Sequence, residues 1–167
     1  ATNEIIDKRL DIQKFNNKCK YDKGYIAGDI RISEVKYQLL EVVKDFKSSN
    51  KLNDVDALIA TPPCQGMSVA NHKKNNEIKR NSLVVESIKL TNEINPKFFI
   101  YENVRSFLTT ICTDVDGVDK KIEDAINFNL GGNYNILSRV VNFKNFGSQS
   151  SRTRTLVIGV RKDISGV

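Results

Sequence analysis

The chain has 167 residues, a formal net charge of +6 at pH 7 and 40% hydrophobic residues, enough for one folded domain with its own core. Its three cysteines include no C-x-x-C pair, which argues against a disulfide framework and against a zinc knuckle. Because no apolar run reaches membrane-spanning length and no export signal opens the chain, we expect a cytoplasmic protein, and its charge favours a polyanionic partner such as nucleic acid.

The first third of the chain alternates between short apolar runs and a longer amphipathic segment. Ser33 is a suitable N-cap for a helix over residues 33–48. Residues 56–60 read as a strand that is apolar on both faces, as in a parallel sheet. The remaining predictions are strands over residues 1–6 and 25–27 and a helix over residues 7–16. This order predicts βαβ units and a parallel sheet.

The rest of the chain continues this pattern and then changes. A helix capped by Asn81-Ser82 is predicted to end at Asn95-Pro96, before a strand over residues 97–101. Residues 109–119 look like an irregular surface segment. A helix over residues 120–130, closed by Gly131-Gly132, is followed by strands over 134–143 and 155–160. Those two strands have no room for a crossover helix between them, so they should pair antiparallel at one end of the sheet.

Cys64 follows the strand of residues 56–60 directly. Pro62 and Pro63 forbid continuation of that strand, so Cys64 is presented at its carboxyl end, where α/β sheets bind ligands. A free cysteine is more commonly a small buried hydrophobe. Against that reading, the polar residues Gln65 and Ser68 are poorly suited to a core. The setting therefore makes Cys64 a candidate reactive thiol.

Residues 69–81 have almost no apolar periodicity. They could form an ordinary solvated loop, but a long loop beside a candidate catalytic residue is often a lid. We therefore expect a mobile basic loop that closes on nucleic acid. Its cationic side chains include Lys73, Lys74, Lys79 and Arg80.

Three short polar motifs stand next to predicted strands. They are Pro63-Cys64-Gln65 with Ser68, Glu102-Asn103-Val104, and Arg152-Thr153-Arg154. Taken singly, Glu102 reads as an exposed acid and the two arginines as surface residues. Together and in this order, the motifs resemble those of the DNA cytosine-5 methyltransferases.

The resemblance extends from residue 3 to residue 159 and has one departure. The family has Gln-x-Arg-x-Arg before its strand, whereas here Ser150 takes the position of the glutamine and Gln149 lies one residue earlier. Two weaker matches concern the cofactor. Gly28-Asp29-Ile30 resembles the motif that meets adenine, and Asn3-Glu4 resembles the acid that binds ribose.

The resemblance implies an α/β, Rossmann-like, S-adenosylmethionine-dependent methyltransferase sheet, mostly parallel with an antiparallel C-terminal strand pair. It also implies truncation at both ends, because the family's glycine-rich cofactor turn would precede Ala1 and its target-recognition region would follow Val167. Residues 1–167 would then be one partial catalytic domain. We expect this chain alone to bind S-adenosylmethionine weakly or not at all, and to be inactive.

The resemblance also assigns roles. Cys64 would add to carbon 6 of a flipped cytosine in double-stranded DNA, a protonated Glu102 in a desolvated site would neutralise ring nitrogen 3, and Arg154 with Arg152 would hold the oxygen on carbon 2. No metal is implied. The residues that bind the cofactor would be Glu4, Asp29, Ile30 and Pro62. The residues that bind the DNA substrate would be Pro63, Gln65, Ser68, Asn103, Lys73, Lys74 and Arg80.

Two other functions are also compatible with the sequence. One is a tRNA cytosine-5 methyltransferase, which shares the three motifs. The other is a non-catalytic nucleic-acid-binding remnant. For the DNA enzyme we expect a bacterial-type, nucleoid-associated protein of a restriction-modification system.

Overall fold

A computed structural model describes residues 1–63 and 77–165 of the chain. The chain divides into two compact units, Ala1–Asp54 and Val55–Val167. Within the described residues, every helix is too short or too polar to cross a membrane.

The first unit is built on a parallel pair of short strands. Strands β1 (Thr2–Glu4) and β2 (Tyr25–Ala27) pair in register, with Glu4 opposite Ala27. Helix α1 (Asp7–Phe15) connects them and contributes the buried Leu10. These three elements confirm the sequence-based predictions. The carboxyl ends of both strands consequently lie at one edge, which carries Glu4 and the turn that begins at Gly28.

Helix α2 (Ser33–Ser49) follows β2, but its start differs from the prediction. Ile32 takes the N-cap position and makes no side-chain capping bond, so Ser33 is the first helical residue rather than the cap. The reason lies in the preceding turn. The Ile32 amide donates to the Asp29 carbonyl at 2.9 Å, and this turn already sets the direction in which the chain enters the helix.

The second unit contains strands β3 (Ala57–Ala60), β4 (Phe98–Asn103), β5 (Ile111–Thr113), β6 (Asp119–Lys121), β7 (Tyr134–Asn142) and β8 (Thr153–Arg161), and helices α3 (Glu77–Ile94) and α4 (Ile122–Leu130). Four of the strands form a mixed sheet in the order β3-β4-β8-β7. Strands β3 and β4 are parallel, and β8 is antiparallel to both β4 and β7. The α/β class and the antiparallel C-terminal pair are thus confirmed.

The core of this unit lies between one face of the sheet and helices α3 and α4. Phe99 and Tyr101 of β4 are fully buried there with Ile88 of α3 and Ile126 of α4. The Tyr101 hydroxyl lies 2.6 Å from that of Thr91, so a polar group inside the core is satisfied. Strand β4 is therefore held on both sides and over one face, which makes it a rigid support for the residues at its carboxyl end.

Strand β3 was expected to be buried on both faces, and this is wrong. Ile59 is 68% exposed and Ala57 is also exposed, whereas Leu58 and Ala60 pack against the core. In the described sheet β3 is an edge strand that pairs only with β4. The core helices cover the opposite face, so alternate residues of β3 remain exposed.

The expectation of an irregular segment over residues 109–119 is also wrong. Strands β5 and β6 form an antiparallel hairpin there, and Cys112 is fully buried. Asp114 has a fully buried side chain and accepts hydrogen bonds from Lys120 Nζ and Asn129 Nδ2, both at 2.8 Å. The polar residues that made the segment look exposed are thus paired with one another through tertiary contacts.

Two helix starts were misplaced. Helix α3 begins at Glu77, inside the segment predicted to be a mobile loop, so Ser82 lies within the helix instead of capping it. Helix α4 begins at Ile122 because Lys120 and Lys121 belong to strand β6. The predicted ends of both helices, at Asn95-Pro96 and at Gly131, are confirmed.

Candidate active site

The candidate site lies in the second unit, at the carboxyl ends of β3 and β4. After Ala60 the chain leaves the sheet through Thr61, the buried Pro62 and the exposed Pro63. Both prolines lack an amide hydrogen, which explains why the ladder stops there. The predicted site residues Cys64, Gln65, Ser68, Lys73 and Lys74 lie outside the described residues, and only the backbone of Arg80, in α3, is described.

Glu102 of β4 and Arg154 of β8 form an ion pair at this edge. Arg154 Nε lies 3.0 Å from Glu102 Oε1. Glu102 stands opposite Leu156 in the ladder, two residues from Arg154, so both side chains leave the same face of the sheet. The Arg154 side chain is further fixed by a 2.8 Å bond from Nη1 to the Thr153 carbonyl. The structure thus brings together two residues that are 52 positions apart in the sequence.

The pair is partly buried but not closed to solvent. The side chain of Arg154 is 19% exposed and that of Glu102 is 28% exposed. The protonated Glu102 that the resemblance implies stays a prediction.

The other arginine of the motif behaves differently. Arg152 precedes β8 and is exposed, and its backbone carbonyl accepts from the Phe143 amide at 3.0 Å. Gln149 and Ser150 are exposed as well. Of the two predicted arginines, the structure joins only Arg154 to Glu102.

Asn103 was predicted to contact the substrate, but in the structure its amide is bonded to protein backbone. The residue is 3% exposed. Its Nδ2 donates to the Pro62 carbonyl at 2.9 Å, and its Oδ1 accepts from the Val104 amide at 2.9 Å. Both ends of the side-chain amide are therefore engaged.

Thr155 was missed by the sequence analysis. It is fully buried, and its hydroxyl lies 3.1 Å from the Val104 carbonyl and 3.2 Å from the Arg105 carbonyl. A threonine inside an apolar strand looks like an ordinary β-former. The only available signal was its position directly after Arg154.

In the first unit, the predicted cofactor residues lie at the carboxyl edge of β1 and β2. Glu4 Oε1 accepts from the Ile6 amide at 3.1 Å, and Arg9 Nη1 is 3.9 Å from Glu4 Oε2. Gly28 has a φ of +129° and its missing Cβ would lie 2.8 Å from Val35, so a side chain there would be strained. This turn directs the chain into Asp29.

Asp29 is held by its neighbour Arg31. The guanidinium Nε lies 3.0 Å from both carboxylate oxygens, and this hydrogen bonding lowers the pKa of Asp29. Two carboxylates at the carboxyl edge of a parallel strand pair suit the hydroxyl and amino donors of an adenosine, since each retains acceptor capacity. Ile30 follows and is half-buried. These residues fit the adenosine part of S-adenosylmethionine.

The family model for C-5 cytosine-specific DNA methylases matches residues 1–166. The chain belongs to this family. One relative, the Type II methyltransferase M1.HgaI of Avibacterium volantium, is 29% identical over 94% of the chain and 42% of its own length. Another, M.FnuDI of Fusobacterium nucleatum, is 32% identical over 74% of the chain and 35% of its own length. The chain thus spans less than half the length of these relatives.

Solved structures confirm the methyltransferase fold. A prophage-encoded DNA modification methyltransferase from E. coli matches with a TM-score of 0.50 at 29% identity, over 75% of this chain and 32% of its own. The Dnmt2 methyltransferase of S. pombe matches with a TM-score of 0.61 over 99% of this chain and 43% of its own. The second match is 19% identical, so it speaks for the fold alone.

Proposed function

We propose that this protein transfers a methyl group from S-adenosylmethionine to carbon 5 of a flipped cytosine in double-stranded DNA. The observation that carries the proposal is the Glu102–Arg154 ion pair, 3.0 Å long, at the edge where β3 leads to Cys64. The Type II names of the relatives support a place in a restriction-modification system. Such an enzyme would act in the cytoplasm, on the nucleoid.

Cys64 would supply the nucleophile. Carbon 5 of cytosine is too weak a nucleophile to take a methyl group, so a thiolate first adds to carbon 6, and the electrons of the carbon 5–carbon 6 double bond move into the ring. Glu4 and Asp29 would hold S-adenosylmethionine, which when bound would supply the methyl group to carbon 5 and leave as S-adenosylhomocysteine. A base from the solvent would then take the proton from carbon 5, and the electron pair of that carbon–hydrogen bond would re-form the carbon 5–carbon 6 double bond as the sulfur–carbon 6 bond breaks. This elimination would restore both the aromatic ring and the thiolate.

Glu102 and Arg154 would stabilise the charge that this addition creates. Negative charge accumulates on ring nitrogen 3 and on the oxygen bonded to carbon 2, the ring atom next to nitrogen 3. Glu102 would donate a proton to nitrogen 3 while Arg154 donates hydrogen bonds to the oxygen. Two side chains that already lie 3.0 Å apart suit two neighbouring atoms of one base.

The cytosine must leave the base stack, because a thiol at a sheet edge cannot reach carbon 6 inside a duplex. Lys73, Lys74 and Arg80 would hold the phosphates of such DNA, and Gln65 and Ser68 would lie near the flipped nucleotide. The net charge of +6 favours a polyanion.

The two described cysteines are poor candidates for the nucleophile. Cys112 is fully buried, and burial raises the pKa of its thiol to about 11, so almost no thiolate forms at neutral pH. Cys19 lies in the first unit, where its Sγ is 3.3 Å from the Tyr21 carbonyl. Cys64 is the remaining thiol.

The test is a covalent trap made with the intact protein. DNA that contains 5-fluorocytosine, with S-adenosylmethionine present, should give an adduct that survives denaturation, because fluorine cannot leave carbon 5 as a proton does. Cys64→Ser should abolish the adduct, and peptide mapping should place it on Cys64.

Cys19→Ser is the matched control and should leave the adduct unchanged. An adduct that persists in Cys64→Ser, or that maps to Cys19 or Cys112, would show that the nucleophile is misassigned. Tritiated methyl transfer to DNA and to tRNA in parallel tests the substrate, and labelling of tRNA alone would contradict the proposal.

A further inference from the structure

Asn103 joins the ends of two strands that the backbone can no longer join. Strands β3 and β4 pair with a constant offset, from Ala57 opposite Phe98 to Ala60 opposite Tyr101. Continued by two residues, this offset of 41 places Pro62 opposite Asn103, and the hydrogen bond between them has that same separation. The side-chain amide therefore extends the register beyond the last backbone pair.

A side chain is needed here because Pro62 and Pro63 have no amide hydrogen to offer. Asn103 Nδ2 donates to the Pro62 carbonyl at 2.9 Å, in a setting where Asn103 is 3% exposed. Its Oδ1 accepts from the Val104 amide, which fixes the amide orientation. A donor is therefore required toward Pro62 and an acceptor toward Val104, and among side chains of this length only asparagine provides both.

A second contact fixes the far side of Asn103. Thr155 stands directly opposite Asn103 in the β4–β8 ladder, and its buried hydroxyl lies within 3.2 Å of the Val104 and Arg105 carbonyls. The residue before Thr155 is Arg154, which pairs with Glu102. The segment that follows β3 and the segment that follows Glu102 are thus both held by hydrogen bonds at the end of β4.

We propose that Asn103 is a positioning residue, and not a substrate contact, for the methyl-transfer reaction. By holding the Pro62 carbonyl against the end of β4, it sets where the chain enters Pro63-Cys64 relative to Glu102. The inference rests on the proposed function. A displacement of about 1 Å between reacting groups lowers a chemical rate by about 10²-fold.

Asn103→Asp in the intact protein is the principal test. The carboxylate keeps an acceptor for the Val104 amide but turns a second oxygen toward the Pro62 carbonyl, where a donor is required. We expect kcat and the rate of 5-fluorocytosine adduct formation to fall by about 10²-fold, while KM for DNA changes by less than about 3-fold. Asn103→Ala, which adds no charge, should act in the same direction.

Asn129→Asp is the matched control, because its amide donates to Asp114 and to the Ala125 carbonyl in α4, away from this edge. At a temperature where it is folded, its kcat should equal that of the wild type. A raised KM for DNA with unchanged kcat in the Asn103 variants would contradict the positioning role and indicate that Asn103 contacts the substrate.

The remaining outcomes separate the two proposals. Unchanged kcat in folded Asn103 variants, or global unfolding of both of them, would overturn the positioning role, because the residue would then serve nothing or the fold as a whole. If the wild type itself forms no adduct, the proposed function fails and the positioning role fails with it. A wild type that forms the adduct at the rate of Asn103→Asp contradicts the positioning role alone.

Discussion

The two arginines of one motif differ in what surrounds them. Arg154 is 19% exposed and lies 3.0 Å from Glu102, whereas Arg152 is exposed and precedes the strand. The resemblance gave both the same role at the oxygen of carbon 2. The structure supports that role only for Arg154, because a guanidinium held by a partly buried carboxylate is already positioned, whereas an exposed arginine is better placed to meet phosphate.

Alanine substitution should separate these roles. Arg154→Ala removes a donor that acts on charge in the transition state, so kcat should fall by about 10²–10³-fold. Arg152→Ala should leave kcat within about 3-fold, weaken DNA binding, and reduce the slope of log affinity against log salt by about 1. Steady-state methylation rates and binding titrations at several salt concentrations provide both numbers. Equal losses of kcat in the two variants would instead indicate that both arginines act on the flipped cytosine.

At the scale of the elements, the second unit depends on close contact between β4 and β8. A Cβ added at Gly159 of β8 would lie 1.9 Å from the Phe99 ring, closer than atoms can approach. The Phe99 ring is fully buried and lies 4.8 Å from the Tyr101 ring and 5.1 Å from the Tyr134 ring, centre to centre. The ring therefore cannot move without disturbing the core, and only glycine fits opposite it.

Gly159→Ala should accordingly destabilise the protein by about 1–3 kcal/mol or more, the cost of overpacking a core. Gly132→Ala is the matched control, because its added Cβ would have no neighbour within 4 Å and its φ is not positive. That variant should stay within about 0.5 kcal/mol of the wild type. Urea unfolding monitored by circular dichroism measures both, and a Gly159→Ala protein as stable as Gly132→Ala would mean that the Phe99 ring is free to move.

The sequence predicted those elements whose signals are local. The strand of Tyr25–Ala27, the helix end at Asn95-Pro96 and the antiparallel C-terminal pair follow from periodicity and from proline and glycine chemistry. The β5–β6 hairpin was missed because its polar side chains find partners such as Asn129, 15 positions from Asp114. No local pattern contains that information.

The same division applies to the site. The resemblance selected Glu102 and Arg154, and the structure brings them together. The resemblance did not predict that Asn103 would bond to Pro62 or that Thr155 would bond to the Val104 carbonyl, because both contacts depend on the register between strands. The roles of Cys64 and of the basic residues after it stay predictions.

For the molecule as a whole, the least expected feature is an apolar row on the face of the four-stranded sheet opposite α3 and α4. Ile59, Ile100, Ile158 and Leu137 stand opposite one another in successive ladders, so they lie side by side on one face. Ile59 is 68% and Leu137 is 66% exposed. Single exposed apolar residues are common on soluble monomers, whereas adjacent ones can form a surface with its own binding character.

We expect this row to bind a hydrophobic dye. The double variant Ile59→Gln with Leu137→Gln interrupts the row at both ends without changing the net charge, so the fluorescence of bound 8-anilinonaphthalene-1-sulfonate should fall by roughly half. The matched control combines Ile12→Gln with Val118→Gln, two residues that are 61% and 53% exposed and lie in α1 and in the turn between β5 and β6. If both pairs lowered the fluorescence equally, dye binding would follow total exposed apolar area, and the row would have no separate character as a surface.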